Sequence, residues 1–209
     1  MSKFSDWKLQ KLEERFGLKE VFDHSILVEW LEEKTEIFEE ETNFLKRLQN
    51  NVSRRINYYN EWELREKVIS PILSLVNFDT DYFLAFSLRA LSGIVDGEEI
   101  SGFPDLMIAK GKQDPKQPYF CFHEFKKGID HDGDPAGQCL AAMLVAQSQN
   151  ENQFPIYGLF VIGSAWYFML LNEKEYSISK DYSVRNQDIF EILRILKVLK
   201  NKLLIIAQK

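Results

Sequence analysis

The apolar periodicity of this chain changes after Asn77, and that change limits the folds open to it. Before it, apolar residues recur at intervals of three, four or seven in stretches rich in Glu, Lys, Leu and Phe. After it come short aromatic and β-branched runs of the kind that favours strands. A longer segment, residues 135–149, carries Ala136, Leu140, Ala141, Leu144 and Val145 and reads as a buried helix set among the strands. Helices must therefore lie on a sheet. The order of elements predicts an α/β fold: a mixed central β-sheet flanked by helices, closed by a C-terminal amphipathic helix through Ile189, Ile192, Leu193, Leu196, Leu199 and Leu203.

Ahead of the sheet, residues 5–16 and 26–58 contain no proline and are expected to be helical. In the second, Leu27, Leu31, Phe38, Leu45, Leu48, Val52 and Ile56 form one apolar stripe on a single long helix, with Ser25 as its N-cap. Glu32, Glu33, Glu36, Glu39, Glu40 and Glu41 give it a solvated acidic face. A further helix spans residues 61–73 through Leu64, Val68 and Ile72, and Pro71 is placed to bend or end it. Strands are expected at 82–88, 102–109, 119–126, 156–162 and 166–171, with hairpin tips at the polar loop before Tyr119 and at Gly163-Ser164. Residues 1–58 then read as a helical extension and 59–209 as the catalytic or binding domain.

Composition narrows the function classes. With 26 basic against 32 acidic side chains the net charge is -6, which excludes a blanket of positive charge. The C-terminal stretch with Arg194, Lys197, Lys200 and Lys202 is nevertheless locally basic, and phosphate binding follows local charge more than the sum. Cys121 and Cys139 form neither a disulfide framework nor a zinc pattern. The start is charged throughout, and no run approaches the ~18 apolar residues of a membrane span. The expectation is a cytoplasmic protein with no membrane partner.

The chemistry concentrates in two places. Tyr119-Phe-Cys-Phe-His-Glu-Phe-Lys126 is apolar until its end, where Glu124 and Lys126 stand two residues apart and so share one face of a strand. Asp105 opens the preceding strand directly after Gly102-Phe103-Pro104, and a hairpin would bring it beside Glu124. A rim salt bridge would account for Glu124 and Lys126 alone. Two carboxylates converging on one ammonium point instead to a divalent cation of the magnesium kind, which takes hard oxygen ligands and keeps waters for a phosphate. The lysine cannot be a ligand while protonated, but it can orient or help deprotonate a water and stabilise charge on phosphate.

Pro104-Asp105 and Glu124-Phe125-Lys126, 19 residues apart, resemble the motif of the PD-(D/E)xK nucleases, the restriction-endonuclease-like superfamily. With the helix near Glu61, the Gln138 helix and the Tyr157–Trp166 hairpin, residues 60–171 are similar to the N-terminal nuclease domain of type I restriction motor subunits. The resemblance implies a magnesium-dependent endonuclease of restriction or defence type acting on DNA, with manganese as a substitute ion. It implies that Asp105, Glu124 and the Phe125 carbonyl bind the metal, that Lys126 serves the water, and that a glutamate of the preceding helix completes the acidic site. That glutamate matches Glu61, with Glu63 and Glu66 as competitors. Gln138 matches a polar site position on the following helix, although the tyrosine often found four residues later is replaced by Ala142. A nuclease with one site per chain needs two chains, or two events, to cut both strands, so a homodimer is one candidate partner and a separately encoded protein that finds the substrate is another. The alternative is a catalytically silent binding module of the same fold, acting through the long helix at 26–58.

Other patterns carry less. Asp130-His-Asp-Gly-Asp134 suggests a calcium loop, but Pro135 and Ala141 occupy the positions of its glycine and its last glutamate, so it reads as an acidic solvent loop. Cys121 and His123 are packing neighbours sooner than nucleophile and base, and Gly93, Gly97 and Gly102 make no phosphate loop.

Overall fold

The computed structural model describes residues 1–126, 133–151 and 154–208, and of residues 121–124 the backbone alone. Its elements run β1 (Ser2–Lys3), α1 (Leu9–Phe16), β2 (Lys19–Glu20), α2 (Ser25–Glu32), α3 (Glu39–Val52), α4 (Glu61–Leu64), α5 (Ser70–Val76), β3 (Leu84–Ser87), β4 (Leu91–Val95), β5 (Glu98–Gly102), β6 (Leu106–Gly111) and β7 (Pro115–Lys126). After these come α6 (Pro135–Gln149), β8 (Ile156–Ile162), β9 (Ala165–Asn172), β10 (Glu175–Ile178), β11 (Tyr182–Ser183) and α7 (Asp188–Ala207).

The fold is α/β. One sheet runs β2-β10-β9-β8-β7-β6-β3, with β11 also paired to β9; a smaller sheet runs β1-β5-β4. The large sheet is mixed: β7 pairs parallel with β8, and β6 with β7 and β8 with β9 antiparallel. Parallel neighbours need a crossover, and α6 supplies it between β7 and β8. That helix is buried nearly all round, between the large sheet on one side and the small sheet with the N-terminal segment on the other, which is why its sequence is apolar without a strong polar face. On the opposite face of the large sheet, α2, α3, α5 and α7 cover a second core built on Trp30, Leu45, Ile72, Phe125, Trp166 and Leu196.

Residues 1–58 are built into both layers. Phe4, Trp7, Leu12 and Phe16 join the core around α6, while Leu27, Trp30, Leu45, Val52 and Ile56 join the core beneath α7. β1 and β2 each add a strand to a sheet edge. Asp134 ties the first layer together: Oδ1 accepts from the Gly137 N–H and caps α6, and Oδ2 accepts from the Leu9 N–H at the start of α1. Gly137 permits the approach, since a Cβ there would stand 2.6 Å from the Trp7 carbonyl oxygen.

The single helix expected over residues 26–58 is two helices, α2 and α3, followed by a 3-10 turn at Ile56–Tyr58, and the cap of α2 is His24, whose Nδ1 accepts from the Ile26 N–H, not Ser25. The break is held from α7. Arg194, buried to 5% exposure, donates to the carbonyls of Leu31 and Glu33, orphaned at the end of α2, and pairs with Glu191. Lys197 donates to the Glu36 carbonyl and to Glu41, and Lys202 pairs with Glu29 and Glu33. A continuous helix would pair the Leu31 and Glu33 carbonyls internally and leave nothing for Arg194 to cap. Arg194→Met is expected to cost about 2–4 kcal/mol, read from the urea midpoint, because two carbonyls lose charged donors in a buried setting; an unchanged midpoint would show that the break does not depend on it.

The helix expected at 61–73 also has a feature its sequence hides. Between α4 and α5, residues Arg65–Ile69 form a π turn, closed by the Ser70 N–H on the Arg65 carbonyl. Pro71 has no N–H and its ring would meet the carbonyl four residues back in a regular helix, so widening the preceding turn accommodates it without ending the run.

Candidate active site

β6 and β7 fix the site. Leu106 pairs with His123 in their antiparallel register, so Asp105, one residue earlier, adjoins the backbone at Glu124. Asp105 Oδ2 accepts from the Phe125 N–H at 2.8 Å. The N–H and C=O of one strand residue point to the same edge, so the Phe125 carbonyl also faces the side on which Asp105 stands. Consistent with that alternation, the Lys126 carbonyl turns the other way and accepts from the Gly163 N–H of the β8–β9 hairpin. The Asp105 carbonyl accepts from Leu88 N–H and from Arg65 Nη2, which anchors this connection to β3 and to the π turn.

Asp105, Lys126 and Gln138 line one cleft of about 390 Å³, whose other wall is Lys3, Phe4, Ser5, Ser101, Gly102 and Phe103. Gly102 lets that wall close, because a Cβ would lie 2.3 Å from the Phe4 ring. Glu61, the first residue of α4, reaches in from the helical side: its Oε1 is 3.7 Å from Lys126 Nζ. Of its two competitors, Glu63 caps α4 in a reciprocal pair with Asn60 and bridges to Lys67 at 2.7 Å, and Glu66 is exposed beside Lys67. The structure thus brings together Asp105, Lys126, Gln138 and Glu61, with the Phe125 backbone. Glu124 contributes its backbone to β7, opposite Phe160 of β8; its side chain, with those of Cys121 and His123, lies outside the described residues, as do residues 130–132 of the acidic loop.

The electrostatics of Asp105 are unusual for a carboxylate between two cations. Burial raises its pKa above the ordinary value, and the Phe125 N–H, Lys126 and Arg65 only partly offset that. Among the described residues its Oδ2 alone accepts a hydrogen bond. A half-buried carboxylate with one oxygen left on a cleft suits a cation, and the donors at hand are hard oxygens. Among the described residues no three His, Cys, Asp or Glu side chains cluster at ligating distance; a site here would draw also on a backbone carbonyl and on Glu124.

The raised value makes a pH prediction. The folded chain keeps the Asp105 proton at pH values where the unfolded chain, near ~3.9, has lost it, so stability falls as pH rises through that window. Asp105→Asn keeps an oxygen for the Phe125 N–H and removes the ionisation. Its urea midpoint is expected to fall less than the wild type's from the unfolded value upward; parallel profiles would contradict this.

The cations of the basic C-terminal stretch have partners within the fold. Arg194, Lys197 and Lys202 are committed to residues 29–41 as described, and Lys200 donates to the Val76 carbonyl. Missed in the sequence were Arg65, the Lys3–Ser5 wall and Phe103. Their places depend on contacts between distant segments, and no local pattern marks them. Matched against models of known protein families and against curated proteins, the chain finds no counterpart. Among the described residues no helix is long and apolar enough to cross a membrane.

Proposed function

We propose that this protein is a divalent-metal-dependent nuclease of the PD-(D/E)xK, restriction-endonuclease-like kind, which hydrolyses phosphodiester bonds of DNA. The observation that carries the reading is the convergence of Asp105, Lys126 and Gln138 on one cleft, with Glu61 on Lys126 and the β6–β7 register setting Pro104-Asp105 beside Glu124-Phe125-Lys126. Asp105, the Phe125 carbonyl and Glu124 are the oxygen donors that would hold magnesium or manganese, and Glu61 stands 3.7 Å from Lys126. A cation bound there would supply positive charge to the phosphate and acidify a water.

The chain's own groups account for the rest. The Lys126 ammonium, held by Glu61, is placed to donate to a phosphate oxygen or to orient the attacking water, and its charge favours the pentavalent, more negative transition state. Gln138 offers an amide donor and acceptor from α6, and the Asp105 carboxylate, kept half-buried, gains most from a nearby cation. Water adds to phosphorus, the bond to the sugar oxygen breaks, and that oxygen takes up a proton.

Purified protein is expected to convert supercoiled plasmid to nicked or linear DNA only with magnesium or manganese, and Asp105→Ala to abolish this. Plasmid and single-stranded circular DNA both left intact by the wild type in either metal, or cut equally by the variant, overturn the reading. Metal is also expected to raise the apparent stability of the wild type and not of the variant, since an ion that binds the folded state alone stabilises it.

A further inference from the structure

Two aromatic side chains stand in water where the core had room for neither. Phe103 is 66% exposed on the wall of the cleft, and Trp62, the residue after Glu61, is 67% exposed. The other three tryptophans, Trp7, Trp30 and Trp166, are at most 2% exposed. Single exposed apolar residues are ordinary. Phe103 lines the cleft from the three-residue connection that carries Asp105, and Trp62 follows Glu61 on the helix that brings Glu61 to 3.7 Å from the cleft-lining Lys126.

Cations lie along the cleft, together with the carboxylates of Asp105 and Glu61. Lys3 and Lys126 line the cleft, Arg65 touches the Asp105 carbonyl, and exposed Arg89 follows Leu88, whose N–H bonds that same carbonyl. The cleft's 390 Å³ falls within the ~300–1,000 Å³ that hold a single small ligand, the scale of a nucleotide and not of a duplex. An aromatic face attracts a base only when that base is out of its own stack, and such stacking is indifferent to sequence. The net charge of -6 adds that long duplex DNA gains little by electrostatics alone.

Resting on the nuclease reading, we propose that the cleft takes unpaired nucleotides, Trp62 and Phe103 forming a stacking platform that delivers a single-stranded segment or a frayed end to Lys126. The cations along the cleft follow the backbone and the rings hold the bases. Specificity is then for strandedness and not for sequence.

Because Trp62 is the one tryptophan in water, its fluorescence reports on the platform directly. The full chain in EDTA, where no cleavage occurs, is titrated with a short fluorescein-labelled oligothymidylate and with a duplex of the same length. Oligothymidylate is expected to quench the tryptophan emission, and Trp62→Phe to lose the quenching while keeping the affinity measured by anisotropy. Trp62→Ala and Phe103→Ala should each weaken oligothymidylate binding by on the order of ten-fold and leave duplex binding unchanged. Duplex bound as tightly as single strand, alanine variants that bind like wild type, or no binding of oligothymidylate at all would each overturn the platform. The plasmid assay is independent of these outcomes: metal-dependent cleavage without quenching leaves the nuclease standing and removes the platform, and quenching without cleavage does the reverse.

Discussion

Lys126→Ala is expected to lower metal-dependent DNA cleavage by about a hundred-fold to ten-thousand-fold, the range lost with a positioned proton-transfer or charge-stabilising group. The fold should survive the change. Lys126 is partly exposed and its pairing with Glu61 at 3.7 Å involves a half-exposed carboxylate, so the pair adds little stability after solvent screening. Activity and stability should therefore separate: a urea midpoint near that of wild type with cleavage nearly gone. Lys126→Arg makes the test sharper. It keeps the charge but places a wider, planar group in the cleft, and a lysine that supplies only charge would be largely rescued by it, whereas one that must touch a particular oxygen or water would not. Cleavage by Lys126→Ala within a few-fold of wild type would remove Lys126 from the machinery.

Trp30→Ala is expected to destabilise the protein by about 3–5 kcal/mol, the usual cost of removing a large aromatic from a packed interior. Trp30 is fully buried, packs edge-on against Tyr157 of β8 and Phe168 of β9, and donates its indole N–H to the Ile195 carbonyl of α7 at 2.9 Å. It thus joins the N-terminal helices to the central sheet and to the last helix in one contact. If residues 1–58 were a separable extension, the substitution would loosen that segment alone and the main unfolding transition would stay where it is. A single transition shifted to lower urea is the result expected of the structure; an unshifted main transition with a small early one would contradict it.

Where the sequence pattern is local, it led close to the structure. The 15-residue apolar segment is α6, and the strands at 156–162 and 166–171 and the turn at Gly163-Ser164 are where alternation and glycine placed them. The antiparallel neighbourhood of Asp105 and the Glu124 backbone follows from one short hairpin; of the candidate glutamates, Glu61 stands 3.7 Å from Lys126 while Glu63 pairs with Lys67. Apart from the local β4–β5 hairpin, which was not expected, what the pattern concealed is long-range. β1 and β2 have two residues each and exist only because β5 and β10 present free edges to them. The stripe over 26–58 is periodic through its break, since Leu27 and Leu45 both face the core from separate helices, and only the α7 cations, some 160 residues away, reveal where the chain turns. Those same cations looked available for phosphate because a sequence shows a charge and not the carboxylate or carbonyl that absorbs it.

The π turn between α4 and α5 holds one residue more than a regular helix would. Were that turn to close to the α pitch with every residue kept, everything before it would swing by about 100° around the axis relative to Ile72 and Val76. Glu61 would leave Lys126 and Leu64 would leave the core, although no residue in contact with either had changed. At this place the aim of the acidic group depends on the pitch of one turn: losing a single residue within Arg65–Ile69 would let the helix return to the α pitch and keep Glu61 by Lys126, whereas the same loss within α5 would turn Glu61 away.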